Sequence, residues 1–184
     1  MRKLAYLDYM ASSPVHPEVA GIVADMMLSV LGNPGSRTHS YGAAAKQALE
    51  NSRRELAAVA GIEPGEVIFT SGATESNNLA ILGLADFGLK SGRRHIVCTA
   101  IEHKAVLEPC KALQEIGFEV TLVPPNHAGI VEVDSVLQAV RPDTLLVSVM
   151  SANNETGAIQ PISLIAEGMK NCDAVFHVDA AQSF

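Results

Sequence analysis

Short runs rich in β-branched residues alternate with helix-length amphipathic stretches through most of this chain. That alternation restricts it to an α/β layer around a largely parallel sheet, buried on both faces. The strand-like runs are 66–70 (EVIFT), 95–99 (HIVCT), 118–123 (FEVTLV), 145–150 (LLVSVM) and 174–178 (AVFHV). Helical stretches are predicted between them at 74–90, 104–116, 134–140 and 161–171, the last two shorter. Two more, at 16–30 and 42–59, come first, joined by a connector rich in Gly, Asn, Pro and Ser. No internal repeat, low-complexity tract or long linker divides the chain, and 184 residues, 48% of them hydrophobic, suffice for one core. Only a few residues follow the last strand-like run, so the layer is expected to be left open there.

Charge excludes whole classes of partner. The net charge is -7 and the basic runs are no longer than Arg53-Arg54 and Arg93-Arg94, which gives no footprint for nucleic acid or an anionic membrane. Near the N-terminus Asp8 interrupts the chain before an apolar segment forms, and no run approaches the ~18 apolar residues of a membrane span, so a soluble cytoplasmic protein is expected. Cys98, Cys110 and Cys172 are widely spaced without a C-x-x-C pair, which indicates neither a disulfide framework nor a metal site. They read as inert thiols in a strand, a helix and a helix end.

Four motifs fall at carboxyl ends of strand-like runs, the edge of an open parallel sheet where ligands bind. Thr70-Ser71-Gly72-Ala73-Thr74 marks a turn from strand to helix, where unpaired backbone N–H groups and hydroxyls suit a phosphate; an ordinary capped helix start fits equally. It is neither a P-loop nor a dinucleotide fingerprint. Glu102-His103-Lys104 offers in His103 a flat ring for stacking or proton transfer. Lys104 is a weaker candidate, since it opens a helix as a surface residue would. Ser151-Ala152-Asn153-Asn154-Glu155-Thr156-Gly157 supplies amides for a ligand or for a turn. Asp179, after an apolar run, is expected to sit deep and to need a cationic or hydrogen-bonding partner, unless it caps a helix.

The segments LDYMASSPV, GNPGSRTHSYG, IFTSGATESNNLAI, EHKAVL, NNETG and HVDAAQS, in this order and over essentially the whole chain, resemble cysteine desulfurases of the class V aminotransferase group. The likeness is to the housekeeping iron–sulfur-cluster branch rather than the selenocysteine-lyase-like branch. It implies the large domain of a fold-type I pyridoxal-phosphate-dependent transferase, three-layered, mainly parallel and incomplete, over 14–184, with 1–13 belonging to the small domain. The implied cofactor is pyridoxal 5'-phosphate. Gly72, Ala73 and Thr74 would hold its phosphate, and His103 would lie against the ring in a catalytic role. Asn154 would sit near the ring hydroxyl and substrate, Asp179 would pair with the pyridine nitrogen, and Gln182 would bond the ring hydroxyl.

The implied activity converts L-cysteine to L-alanine and leaves an enzyme persulfide for iron–sulfur cluster or thio-cofactor assembly. A sulfur acceptor or scaffold protein would be the partner, and a homodimer the full-length state. In the family the Schiff-base Lys of a Ser-x-His-Lys sequence, the nucleophilic Cys and the Arg that holds the substrate carboxylate fall beyond Phe184, so the isolated chain is expected to be inactive. Two late strands also fall there, which would separate run 66–70 from the other four by about 10–15 Å. The alternatives are a non-catalytic cofactor-binding or interaction module, and another class V aminotransferase or lyase.

Overall fold

The computed structural model describes residues 4–184, which form two compact units, one up to Phe69 and one from Thr70 onward. In the first unit, α1 (Pro17–Ser29) starts with Pro at its first turn, where the missing N–H costs nothing. The longer α2 (Ser40–Ala60) is capped by His39, whose Nδ1 accepts from the Gly42 N–H at 3.1 Å.

The second unit contains α3 (Ala73–Gly83), α4 (Ala85–Ser91), β1 (His95–Thr99), α5 (Lys104–Glu115), β2 (Glu119–Val123), α6 (Val133–Ala139), β3 (Thr144–Ser148), α7 (Ile162–Gly168) and β4 (Val175–His177). Its sheet has the order β2-β1-β3-β4 with every pair parallel, as the alternation of runs requires. One core face gathers Ile81, Ile96, Cys98, Val106, Leu113, Phe118 and Leu146, which brings in residues of α3 and α5. The other gathers Val97, Val136, Val147, Val149 and Ile165, under α6 and α7. Alternate residues of β1 thus serve opposite faces, as strand geometry dictates. The register between β1 and β3 shifts after His95, which pairs with Thr144 while Ile96 pairs with Leu146. Leu145 is the extra residue of this bulge, and both Leu145 and Leu146 reach the same core face.

Two expectations need correction. Run 66–70 is not a strand: Pro64–Glu66 form a short 3₁₀ helix closed by a reciprocal box between Glu63 and Glu66, and the residues after it belong to no ladder among the described residues. Ile68 and Phe69 are exposed, Arg53 lies over the Phe69 ring at 5.0 Å, and the same guanidinium donates to the Val67 carbonyl. Strand composition without a pairing edge does not make a strand, because the backbone groups must find partners elsewhere. The predicted helix 74–90 is broken at Leu84, where the N–H turns back to Ile81, and α4 starts afresh at Ala85.

The break lets α4 approach the sheet through Gly88. A Cβ there would lie 2.8 Å from the Arg93 carbonyl oxygen and 2.7 Å from Phe118 Cε1. Because one of these neighbours is backbone, Gly88→Ala is expected to cost about 1–3 kcal/mol, read as a lower urea midpoint at unchanged slope.

Pro109 lies inside α5 and is buried, so the Ala105 carbonyl loses its i+4 donor. The Asn78 amide of α3 supplies a long replacement at 3.5 Å.

Candidate active site

Three strand ends and one helix start converge on a cleft of about 170 Å³. Ala73 and Thr74 from the start of α3, His103 after β1, Met150, Ala152 and Asn154 after β3, and Asp179, Ala181 and Gln182 after β4 all line it. Of the residues singled out in the sequence, Ala73, Thr74, His103, Asn154, Asp179 and Gln182 are therefore brought together. Gly72 does not line the cleft; it shapes the entry to α3.

Gly72 occupies φ 157° and ψ 178°, a backbone region closed to side chains, although space around its Cα is open. It makes no side-chain cap. Glu75 turns back instead and accepts from the Ser71 N–H and hydroxyl, both at 2.6 Å, which holds its carboxyl below the usual range. Among the described residues the first-turn amides of α3 therefore lack both intrahelical and side-chain acceptors, which is the ordinary basis of an anion site.

His103 does two things at once. It caps α5, its Nδ1 accepting from the Ala105 N–H at 3.1 Å, and its ring also lines the cleft. With Nδ1 committed as acceptor, the neutral ring carries its proton on Nε2. Lys104 is exposed and does not line the cleft, consistent with a surface residue at a helix start.

The two amides after β3 divide their labour. Asn153 is buried and organises the turn: its Oδ1 accepts from the Glu155 N–H, the Thr156 N–H and the Thr156 hydroxyl, and its Nδ2 donates to the Ile101 carbonyl at 3.0 Å. Asn154 lines the cleft. Asn153→Ala strands several of these groups at once and is expected to cost about 2 kcal/mol, with faster proteolytic cutting of the turn than in the parent chain.

Asp179 is 8% exposed, and its partners are neutral: Oδ2 accepts from Asn77 Nδ2 at 2.8 Å and Oδ1 from the Ala181 N–H at 3.0 Å. No salt bridge reaches it among the described residues, so its buried charge faces the cleft without a cation. Asn77 is a site residue that motif reading missed. Its signal lies in spacing, since it stands one turn after Thr74 and four residues before the buried Ile81, a polar residue on the inward stripe of α3.

None of the three cysteines lines the cleft. Cys98 and Cys110 are buried, and contact with Cys110 together with burial drives the Cys98 thiol far above its ordinary range, leaving it inert. No group of His, Cys, Asp and Glu among the described residues is arranged to hold a metal ion, and no helix is long and apolar enough to cross a membrane.

Residues 5–184 match the Aminotransferase class-V family. The chain belongs to this family. It is 46% identical to the cysteine desulfurase IscS of Methylococcus capsulatus, over all of this chain and 45% of the relative. It is also 46% identical to a probable mitochondrial cysteine desulfurase of Schizosaccharomyces pombe, over 97% of this chain and 36% of the relative. Among solved structures it is similar to DndA from Streptomyces lividans, at 51% identity and TM-score 0.87 over 98% of this chain and 50% of that one. It is likewise similar to SspA in complex with cysteine, at 40% identity and TM-score 0.91 over 97% of this chain and 51% of that one. The chain thus spans about half the length, or less, of the curated relatives it matches.

Proposed function

We propose that these residues form the cofactor-binding part of a pyridoxal-phosphate-dependent cysteine desulfurase. Its reaction takes sulfur from L-cysteine, leaves L-alanine, and passes the sulfur as a persulfide to an acceptor or scaffold protein for iron–sulfur cluster or thio-cofactor assembly. The observation that carries the reading is the meeting of an uncapped helix start and a buried, cation-free carboxylate in one cleft. These are the complements of a phosphate and of a protonated ring nitrogen at opposite ends of one small molecule. The likeness in sequence to cysteine desulfurases, and in structure to a protein solved in complex with cysteine, supports the same choice.

The donor set fits pyridoxal 5'-phosphate. The Ala73 and Thr74 end of α3 would hold the phosphate, with Gly72 fixing the backbone. Asp179, oriented by Asn77, would hold a proton at the pyridine nitrogen. His103 would cover the ring, Asn154 would sit near its hydroxyl and the substrate, and Gln182 would bond the hydroxyl. When bound, the cofactor supplies a ring that accepts electrons from the substrate α-carbon. The chain's own part is to orient the ring and keep the carboxylate charged. In the longer assembly we place 1–13 in the small domain and 14–184 in the large one, acting as a homodimer. The apolar Val19, Ile22, Val23 and Met26 exposed on α1 support an interface between copies.

The residues lining the cleft include neither Lys nor Cys. The 184-residue chain is therefore expected to bind the cofactor reversibly without turnover. Calorimetric titration with pyridoxal 5'-phosphate should saturate, and pyridoxal lacking the phosphate should bind at least about tenfold more weakly. No sulfide should be released from L-cysteine. Equal affinity for the two vitamers would sink the phosphate assignment.

A further inference from the structure

A second carboxyl lies beside this site. Glu102, 6% exposed, takes both of its hydrogen bonds on one oxygen: Oε1 accepts from the Thr99 hydroxyl and from the Met150 N–H, each at 2.6 Å. Its Oε2 is buried with no hydrogen-bond partner among the described residues. That division suits a neutral acid, whose carbonyl oxygen accepts while its hydroxyl oxygen carries the proton. A carboxylate would leave half its charge buried without a donor.

The two donors come from different strand ends. Thr99 closes β1 and Met150 follows β3, so the carboxyl braces the segments that carry His103 and Met150 to the cleft. The titratable groups whose fields act on it or feel it are the Cys98 thiol of β1, the Cys110 thiol of α5 and Asp179 after β4, and of these Asp179 supplies the charge. Burial pushes Glu102 up to about 7, the bonds from Thr99 and Met150 pull it down, and the charge of Asp179 adds a smaller upward push.

We propose that Glu102 is a positioning residue whose proton is linked to the charge at Asp179. It holds the proton while Asp179 faces no cation and releases it to solvent when a cationic ring docks there. The release leaves a Glu102 carboxylate beside a neutralised Asp179, so one negative charge remains near the cleft before and after. The ring-docking half of this inference rests on the cofactor reading above; the link between Glu102 and Asp179 does not.

The test is a carboxyl-carbon NMR titration of the chain, with the Glu102 resonance assigned by its loss in Glu102→Gln. Expected is a midpoint near 7 that falls by about one unit in Asp179→Asn, with no ligand present. An ordinary carboxylate midpoint, or one indifferent to Asp179→Asn, would overturn the proposal whatever the cofactor does. Should Asp179→Asn fold poorly, proton exchange on binding pyridoxal 5'-phosphate, measured calorimetrically in buffers of different ionisation enthalpy, replaces it. Near pH 6.5 the parent chain should release about half a proton more than Glu102→Gln, and its affinity should gain up to about tenfold more between pH 5 and 8. Equal proton exchange in the two chains counts against the linkage. A midpoint that responds to Asp179→Asn in a chain that binds no cofactor would uphold the linkage and remove the cofactor reading instead.

Discussion

Replacing Asp179 by Asn is expected to weaken binding of pyridoxal 5'-phosphate about 100-fold, the scale of losing one partner of a buried charge pair. Asp179 is the one carboxylate among the residues lining the cleft, so no other lining residue can place a negative charge against a docked ring. The substitution keeps the shape, and a rotated amide still offers an oxygen to Asn77, so the fold should change little. Asp179→Ala makes the complementary test. It leaves the buried Asn77 amide, bonded to Asp179 at 2.8 Å in the parent, without an acceptor, which adds about 1–3 kcal/mol of destabilisation to the same loss of affinity. Calorimetric titration of both variants, with urea melts alongside, separates charge from packing. Parent-like affinity in Asp179→Asn would mean that the cleft recognises no cationic ring.

How far the sequence disclosed this site depends on which neighbours each residue acquires. Runs 95–99 and 145–150 were legible because a central parallel strand is apolar on both faces, and β1 and β3 are fully buried. Run 66–70 has the same composition but no ladder partner among the described residues, and pairing is a property of two segments rather than one. At the cleft, His103, Asn154 and Asp179 were legible through their positions at strand ends, Ala73 and Thr74 as the start of a helix, and Gln182 through the family resemblance. Asn77 and Glu102 were not, for opposite reasons. Asn77 sits within a helix, where only its spacing from Thr74 and Ile81 marks it as inward. Glu102 sits inside a motif whose other members drew the chemistry, and nothing local reveals that it, rather than His103, turns inward. In the same way, only the turn after β3 decides that Asn153 serves the backbone and Asn154 the cleft.

Glu102→Gln is expected to change how stability depends on pH more than stability itself. In the parent, burial raises this carboxyl from the ordinary 4.5 to about 7, so between those values the folded chain holds a proton that the unfolded chain has lost. Stability therefore falls as pH rises through the window: the contribution is complete below about 4.5 and gone just above 7. At about 1.4 kcal/mol per pH unit the loss is on the order of 3 kcal/mol. Gln keeps an oxygen for the Thr99 hydroxyl and the Met150 N–H but cannot ionise, so its profile lacks this fall. Burial lowers His95 and His177, whose stabilising neutral forms are lost as pH falls, and that opposing trend is common to both chains. The difference between variant and parent therefore isolates Glu102. It should favour the parent slightly near pH 4.5, where Gln leaves an amide N–H₂ without an acceptor, and swing toward the variant by about 3 kcal/mol near pH 8. Parallel urea-melt profiles across that range would mean that Glu102 is ionised in the fold and that its unpaired oxygen finds a donor in solution.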